Sequence, residues 1–186
     1  MNFSEYLKET IEIANKISTE SLEALLNELV LLRRRNGRLF IIGVGGSAAN
    51  ASHAVNDFRK IANIDAITPF DNVSELTARI NDDGWNSSVA KTLEVSNFCE
   101  KDAVLTLSVG GGSSHTSTNL VEAMEYAKAS GGTVLGIVSR DGGQTLKLSD
   151  ACVVVPTVNK ETITPHAEEF QAIVWHMLVT LLKDRR

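Results

Sequence analysis

The chain has 186 residues, 43% of them apolar, with three prolines, two cysteines and a formal net charge of −5. That length suits one domain with a substantial core, and the acidic balance argues against nucleic acid or an anionic membrane surface as general partners, because the one basic run, Arg33-Arg34-Arg35, closes a predicted helix whose dipole it complements. No apolar run approaches the roughly 18 residues that span a bilayer, and the first residues lack a basic stretch followed by an apolar one, so a cytoplasmic location is expected.

In chain order, amphipathic helices are predicted over residues 4–16 and 19–35, with Leu22, Leu25, Leu26, Leu29 and Leu32 on one stripe. They form a helical arm, residues 1–36, ahead of five continuous apolar runs at 39–44, 66–70, 103–109, 133–138 and 151–156. Runs of this kind suit parallel strands buried on both faces. Helical stretches at 47–60, 73–80, 86–98, 119–129 and about 166–182 alternate with them, which predicts a single α/β domain: a three-layer, doubly wound sandwich around a five-stranded parallel sheet. Ligands of such sheets bind beyond the carboxyl ends of the strands, so the loops after Val44, Val109, Ser139 and Pro156 are the places to look. Cys99 and Cys152 fit no metal or redox spacing and read as reduced, partly buried thiols.

Two of those loops are rich in glycine. Gly43-Val44-Gly45-Gly46-Ser47 turns the first strand into a helix, where free N–H groups and Ser47 favour an anion. The second loop, residues 108–118, offers Ser108, Ser113 and Ser114 with flexible N–H groups and no positive charge, a neutral-dipole way of holding a phosphate. A Walker lysine is absent. Gly43, Gly45 and Ala48 also satisfy a loose dinucleotide pattern, with Asp71 as a ribose partner. Against that reading stand the second phosphate-type loop and the lack of sequence for a separate catalytic domain.

On the helix opened by Ser47, His53 and Asp57 stand at i, i+4 and share a face, so an imidazole and a carboxylate can meet at one divalent ion or form a plain pair. The last helix adds Glu168, Glu169 and His176. Helix geometry sets Glu169 nearly in line with His176 and Glu168 about 80° round, so periodicity prefers Glu169 as the partner. His176 lies in an apolar stretch, where the alternative is a satisfied core histidine. His115 and His166 read as exposed loop histidines.

These residues resemble the sugar isomerase (SIS) domain family and, within it, the phosphoheptose isomerases. Gly43-Val44-Gly45-Gly46-Ser47-Ala48-Ala49-Asn50-Ala51-Ser52-His53 is similar to the family's G-N-G-G-S-A-A-D-A-x-H, and Leu76-Thr77-Ala78-Arg79-Ile80-Asn81-Asp82-Asp83-Gly84-Trp85 to its L-T-A-x-x-N-D-x-G-F. Gly136-Ile137-Val138-Ser139-Arg140-Asp141-Gly142-Gly143 resembles its G-L-T-G-x-D-G-G, and Glu168-Glu169-Phe170-Gln171 with His176 its Q-E-x-H and later H. The chain departs from the pattern at Val44 for asparagine, Asp57 for glutamate, Glu168 for glutamine and Pro165 for aspartate.

The resemblance implies a flavodoxin-like fold, a homotetramer built partly through the N-terminal helices, and a zinc site of His53, Asp57, Glu168 and His176. It also implies interconversion of a ketose and an aldose phosphate, in the type reaction sedoheptulose 7-phosphate and a glycero-manno-heptose 7-phosphate, through an enediol. Asp57 would be the base and His176 the acid. Ser47, Ser108, Ser113 and Ser114 would hold the phosphate, Asp82 a sugar hydroxyl, and Glu168 would face the substrate. The alternative is a non-catalytic SIS module that binds a phosphosugar or a partner protein.

Overall fold

The computed structural model describes residues 1–185. Two helices, α1 (Phe3–Lys16) and α2 (Thr19–Arg34), precede β1 (Leu39–Gly43). Then follow α3 (Gly46–Lys60), β2 (Ala66–Ile67), α4 (Val73–Asp82), α5 (Ser88–Val95), β3 (Ala103–Leu107), α6 (Thr118–Ala129), β4 (Thr133–Val138), α7 (Gly143–Leu148), β5 (Ala151–Val154) and α8 (Ile163–Asp184). All neighbouring strands pair in parallel, in the order β2-β1-β3-β4-β5. This is the doubly wound order whose switch point lies between β1 and β3.

Strand periodicity divides the apolar residues between two cores. Leu39 and Ile41 of β1 face α2, α3 and α8, where Leu29, Phe58, Trp175 and Leu178 complete one cluster. Phe40 and Ile42 face α5 and α6, packing with Leu93, Leu120 and Met124. Because every residue of β1 and β3 is buried, these strands read as unbroken apolar runs.

The arm begins with a capping box. The Glu5 N–H donates to Asn2 Oδ1 at 3.0 Å, and the Asn2 N–H donates to Glu5 Oε2 at 2.7 Å. Only Ile13 of α1 is buried, while Phe3, Leu7 and Ile11, spaced four apart, leave an apolar row uncovered. α1 is tied to the body by polar contacts instead. Glu9 accepts hydrogen bonds from Asn159 Nδ2 and Thr162 Oγ1, each at 2.7 Å, and faces His166 Nε2 at 3.0 Å. Among the described residues, no helix is long and apolar enough to cross a membrane.

Candidate active site

The turn between β1 and α3 puts Gly45 at φ 65°, ψ −128°, a conformation that suits glycine. Gly46 follows, and a Cβ there would fall on the carboxylate of Glu168, which α8 lays against it. Buried Ser47 accepts a hydrogen bond from Gln171 Nε2 at 3.0 Å. One turn on, Asn50 Nδ2 donates to the Glu168 carbonyl at 2.9 Å and to Gln171 Oε1 at 3.1 Å. These bonds fasten α3 to α8 and set the spacing of their functional faces.

On that joined pair, Asp57 Oδ2 lies 4.0 Å from His53 Nε2 and 3.7 Å from His176 Nε2, and the three atoms fall within 4.8 Å of one another. Two of the three ligand atoms are aimed by a hydrogen-bonded neighbour. Asn56 Nδ2 donates to Asp57 Oδ1 at 2.8 Å, leaving Oδ2 for the imidazoles. His176 Nδ1 lies 2.8 Å from the Ala172 carbonyl, which only accepts, so the proton sits on Nδ1 and Nε2 presents its lone pair. The ring of His53 stands edge-on to Trp175, centroids 4.8 Å apart. Donors around a tetrahedral zinc with bonds of about 2.0–2.1 Å sit about 3.3 Å apart, so a small closure of this trio fits a divalent ion of that kind. His176 is therefore no core histidine: its side chain is 49% exposed and that of His53 60%, whereas Asp57 is 14% exposed.

Neither glutamate joins the trio. Glu169, preferred by periodicity, accepts from the Tyr6 hydroxyl at 2.5 Å and faces His166 Nδ1 at 3.1 Å. Partial burial and that carboxylate push the Tyr6 phenol up to about 12. Glu168, the ligand implied by resemblance, lies against Gly46 instead. Expected in an exposed loop, His166 is 3% exposed and bridges the carboxylates of Glu9 and Glu169.

A cleft of about 330 Å³ opens at the carboxyl ends of β1, β3 and β4, lined in part by Val44, Ser47, Ser108, Ser113, Thr116, Ser117 and Thr164. Its glycine loop is held rather than flexible. Gly111 N–H donates to Ser108 Oγ at 3.1 Å, and the Gly111 carbonyl accepts from both the N–H and the hydroxyl of Thr145 at 2.8 Å. Gly111 itself has φ 70°, and a Cβ there would strike the Gly142 carbonyl. Ser113 Oγ accepts from the N–H groups of His115 and Thr116, at 3.2 and 3.1 Å. Ser114 and His115 are exposed and do not line the cleft. Asp82 lies elsewhere, in a groove with Glu75, Arg79, Asp83 and Val95.

The loop of residues 108–118 carries no positive charge of its own, and the structure brings one beside it: Arg140, from the turn after β4, lines the cleft together with Asp141. The signal was present, since the loop after Ser139 lies beyond a strand's carboxyl end. Asp71, the ribose partner of the dinucleotide reading, instead accepts a hydrogen bond from the Ser52 hydroxyl.

Residues 2–139 match the SIS domain. The phosphoheptose isomerase of a Nitratiruptor species is 34% identical over 152 residues, covering 79% of this chain and 76% of that protein. That of Helicobacter pylori is 30% identical over 179 residues, 94% of this chain and 86% of the relative. Among solved structures, phosphoheptose isomerase GmhA from Neisseria gonorrhoeae superposes with a TM-score of 0.85 at 22% identity, covering 97% of this chain and 96% of the other, a likeness of fold.

Proposed function

Because the chain belongs to the SIS domain family, with phosphoheptose isomerases among its relatives, we propose that it is a phosphosugar ketol isomerase interconverting sedoheptulose 7-phosphate and a glycero-manno-heptose 7-phosphate. One observation carries this reading beyond likeness: a carboxylate on the helix that also reaches the hydroxyl-lined cleft stands between two imidazoles, one from that helix and one from α8. A module that only binds phosphosugars needs the cleft but not that trio.

In this account the cleft takes the phosphate on Ser47, Ser108 and Ser113. Glu168, one turn beyond Thr164 on α8 and against Gly46, lies between the cleft and the trio and accepts sugar hydroxyls. Asp57 removes the proton from C1 of the ketose and returns it to C2, so the enediol forms and collapses on one face. Its Oδ1 bond to Asn56 and its position between the imidazoles keep the carboxylate oriented toward that carbon. His176 moves a proton between the C2 oxygen and the C1 oxygen through Nε2, its only free ring nitrogen. His53, Asp57 and His176 would hold a divalent ion, zinc by their ligand chemistry, and such an ion would supply polarisation of the carbonyl oxygen. A single Nε2 cannot bind an ion and carry a proton at once. A protein that turns over with no bound ion thus uses His176 as the acid, and one that requires a stoichiometric ion uses it as a ligand.

The uncovered row Phe3, Leu7 and Ile11 supports a homotetramer in which the arm packs against other copies, and a phosphorylated substrate supports a cytoplasmic location. The direct test is NMR of sedoheptulose 7-phosphate with the protein in deuterated water. Product carrying deuterium at C2 is expected, as is loss of turnover in Asp57→Asn with unchanged folding. Neither product nor exchange with the wild-type protein would reject the isomerase reading.

A further inference from the structure

We propose that Arg140 is the cationic phosphate-binding residue of the cleft, and that it sets the affinity for the sugar phosphate without taking part in the proton transfers. The proposal rests on the phosphosugar reading above and adds a residue outside the serine set.

Three observations carry it. First, Arg140 is the one lysine or arginine lining the cleft among the described residues, and its neighbours there supply hydroxyls. Second, its guanidinium is uncommitted. It makes no ion pair or hydrogen bond among the described residues, whereas the adjacent Asp141 turns a carboxylate oxygen to the Gly143 N–H at 3.3 Å. The side chain passes beside Gly110, with Cδ and Nη1 each 3.9 Å from where a Cβ would stand, which sets it alongside the serine loop. Third, its backbone is held in the left-handed region at φ 54°. Of the five non-glycine residues in that region among the described residues, three are asparagines, which tolerate it, and the other two are Ser117 and Arg140. Both line this cleft. Unfavourable backbone of this kind persists where its surroundings enforce it, and here the turn is pinned on two sides. The Ser139 N–H donates to the Val109 carbonyl at 3.0 Å, and the Ser139 hydroxyl to the Val155 carbonyl at 2.9 Å.

The chemistry follows from the ligand. A phosphate monoester at neutral pH carries close to two negative charges, and neutral hydroxyls and N–H groups leave that charge unbalanced. A planar guanidinium offers two parallel N–H donors to two phosphate oxygens. A phosphate group keeps its charge throughout an isomerisation at the far end of the sugar, so this contact is equally strong in ground and transition states. It therefore acts on KM and leaves kcat alone.

The experiment measures binding of inorganic phosphate by calorimetry and, separately, steady-state isomerisation, for the wild-type protein, Arg140→Gln and Arg140→Lys. Arg140→Gln is expected to weaken phosphate binding about 10- to 100-fold, with KM for the sugar phosphate raised by a similar factor and kcat within about 2-fold. Arg140→Lys, which keeps the charge but loses the fork, falls between the two. Phosphate binding by Arg140→Gln equal to wild type, loss confined to kcat, or no phosphate binding by the wild-type protein overturns the proposal. Weakened phosphate binding in a protein that isomerises nothing upholds Arg140 while rejecting the isomerase reading, so the two fail separately.

Discussion

Gly46→Ala separates the fold from the site. Gly46 is the first residue of α3 and exposed, with no left-handed backbone to protect. Alanine there reduces the entropy of the unfolded chain, worth about 0.4–1 kcal/mol of added stability. For a domain of this size that corresponds to a rise of roughly 1–4 °C in melting temperature. The new methyl group, however, falls on the Glu168 carboxylate, which is the far end of a flexible side chain and yields by swinging away. Since α3 is bonded to α8 through Asn50 and Gln171, the helices stay in place and the carboxylate takes up the displacement. A shift of about 1 Å in a substrate-positioning group costs on the order of 100-fold in turnover. Melting followed by circular dichroism and isomerisation kinetics should therefore move in opposite directions. A variant as active as wild type would refute the placement of Glu168 at the substrate. One that melts well below wild type would refute the assignment of the clash to the side chain alone.

Zinc binding, followed by competition with a chromophoric chelator, should weaken at least about 100-fold in His53→Ala and in His176→Ala, and about 10- to 100-fold in Asn56→Ala, which no longer orients Asp57. In Glu168→Ala it should stay close to wild type, and loss of zinc there would restore Glu168 to the ligand set. Acid stability rests on a different pair of residues, Arg38 and Asp102. Burial alone would raise the Asp102 carboxyl, but hydrogen bonds from the side chain and N–H of Arg38 and from the Cys99 N–H outweigh it and hold the group below the usual carboxylate range. A depressed carboxyl adds stability that is fully present above the unfolded value, about 3.9, and is lost as pH falls through the folded one. Urea midpoints should accordingly change little from pH 7 to 5 and fall below about pH 4. Asp102→Asn should cost on the order of 2–3 kcal/mol at pH 7, discounted for the partly exposed Arg38, and should flatten the acid slope; an unchanged slope removes Asp102 from the explanation.

The layers of the fold were legible because apolar runs and helical periods alternate, and the departures have local causes. Strand β2 stops at Ile67 instead of running to residue 70, since Pro69 has no N–H for the ladder. Helix α8 begins at Ile163, ahead of the predicted 166, because Pro165 is accommodated in a first turn, where a missing N–H costs nothing. Helix α7 has no readable period: it is six residues long and starts at Gly143, which is left-handed like Gly142 before it. In the site, the i, i+4 pair of His53 and Asp57 was local and readable, whereas the choice between Glu168 and Glu169 depended on contacts with Gly46 and Tyr6, distant in sequence. The burial of His166 has the same kind of cause, its partner Glu9 lying 157 residues earlier.

Helix α3 carries both ends of the site, with Ser47 in the cleft and His53 in the trio. Six residues of α-helix separate them by about 9 Å along the axis, and an α-helix neither stretches nor shortens by more than a fraction of its rise. The protein thus carries a built-in ruler. Under the proposed isomerase reading, a three-carbon sugar phosphate would seat its phosphate or present its carbonyl but not do both, while a chain of six or seven carbons would span the interval. Selection by length would then need no contact with the sugar's middle carbons, whereas one residue inserted between Ser47 and His53 would turn His53 and Asp57 about 100° away from His176 and abolish turnover.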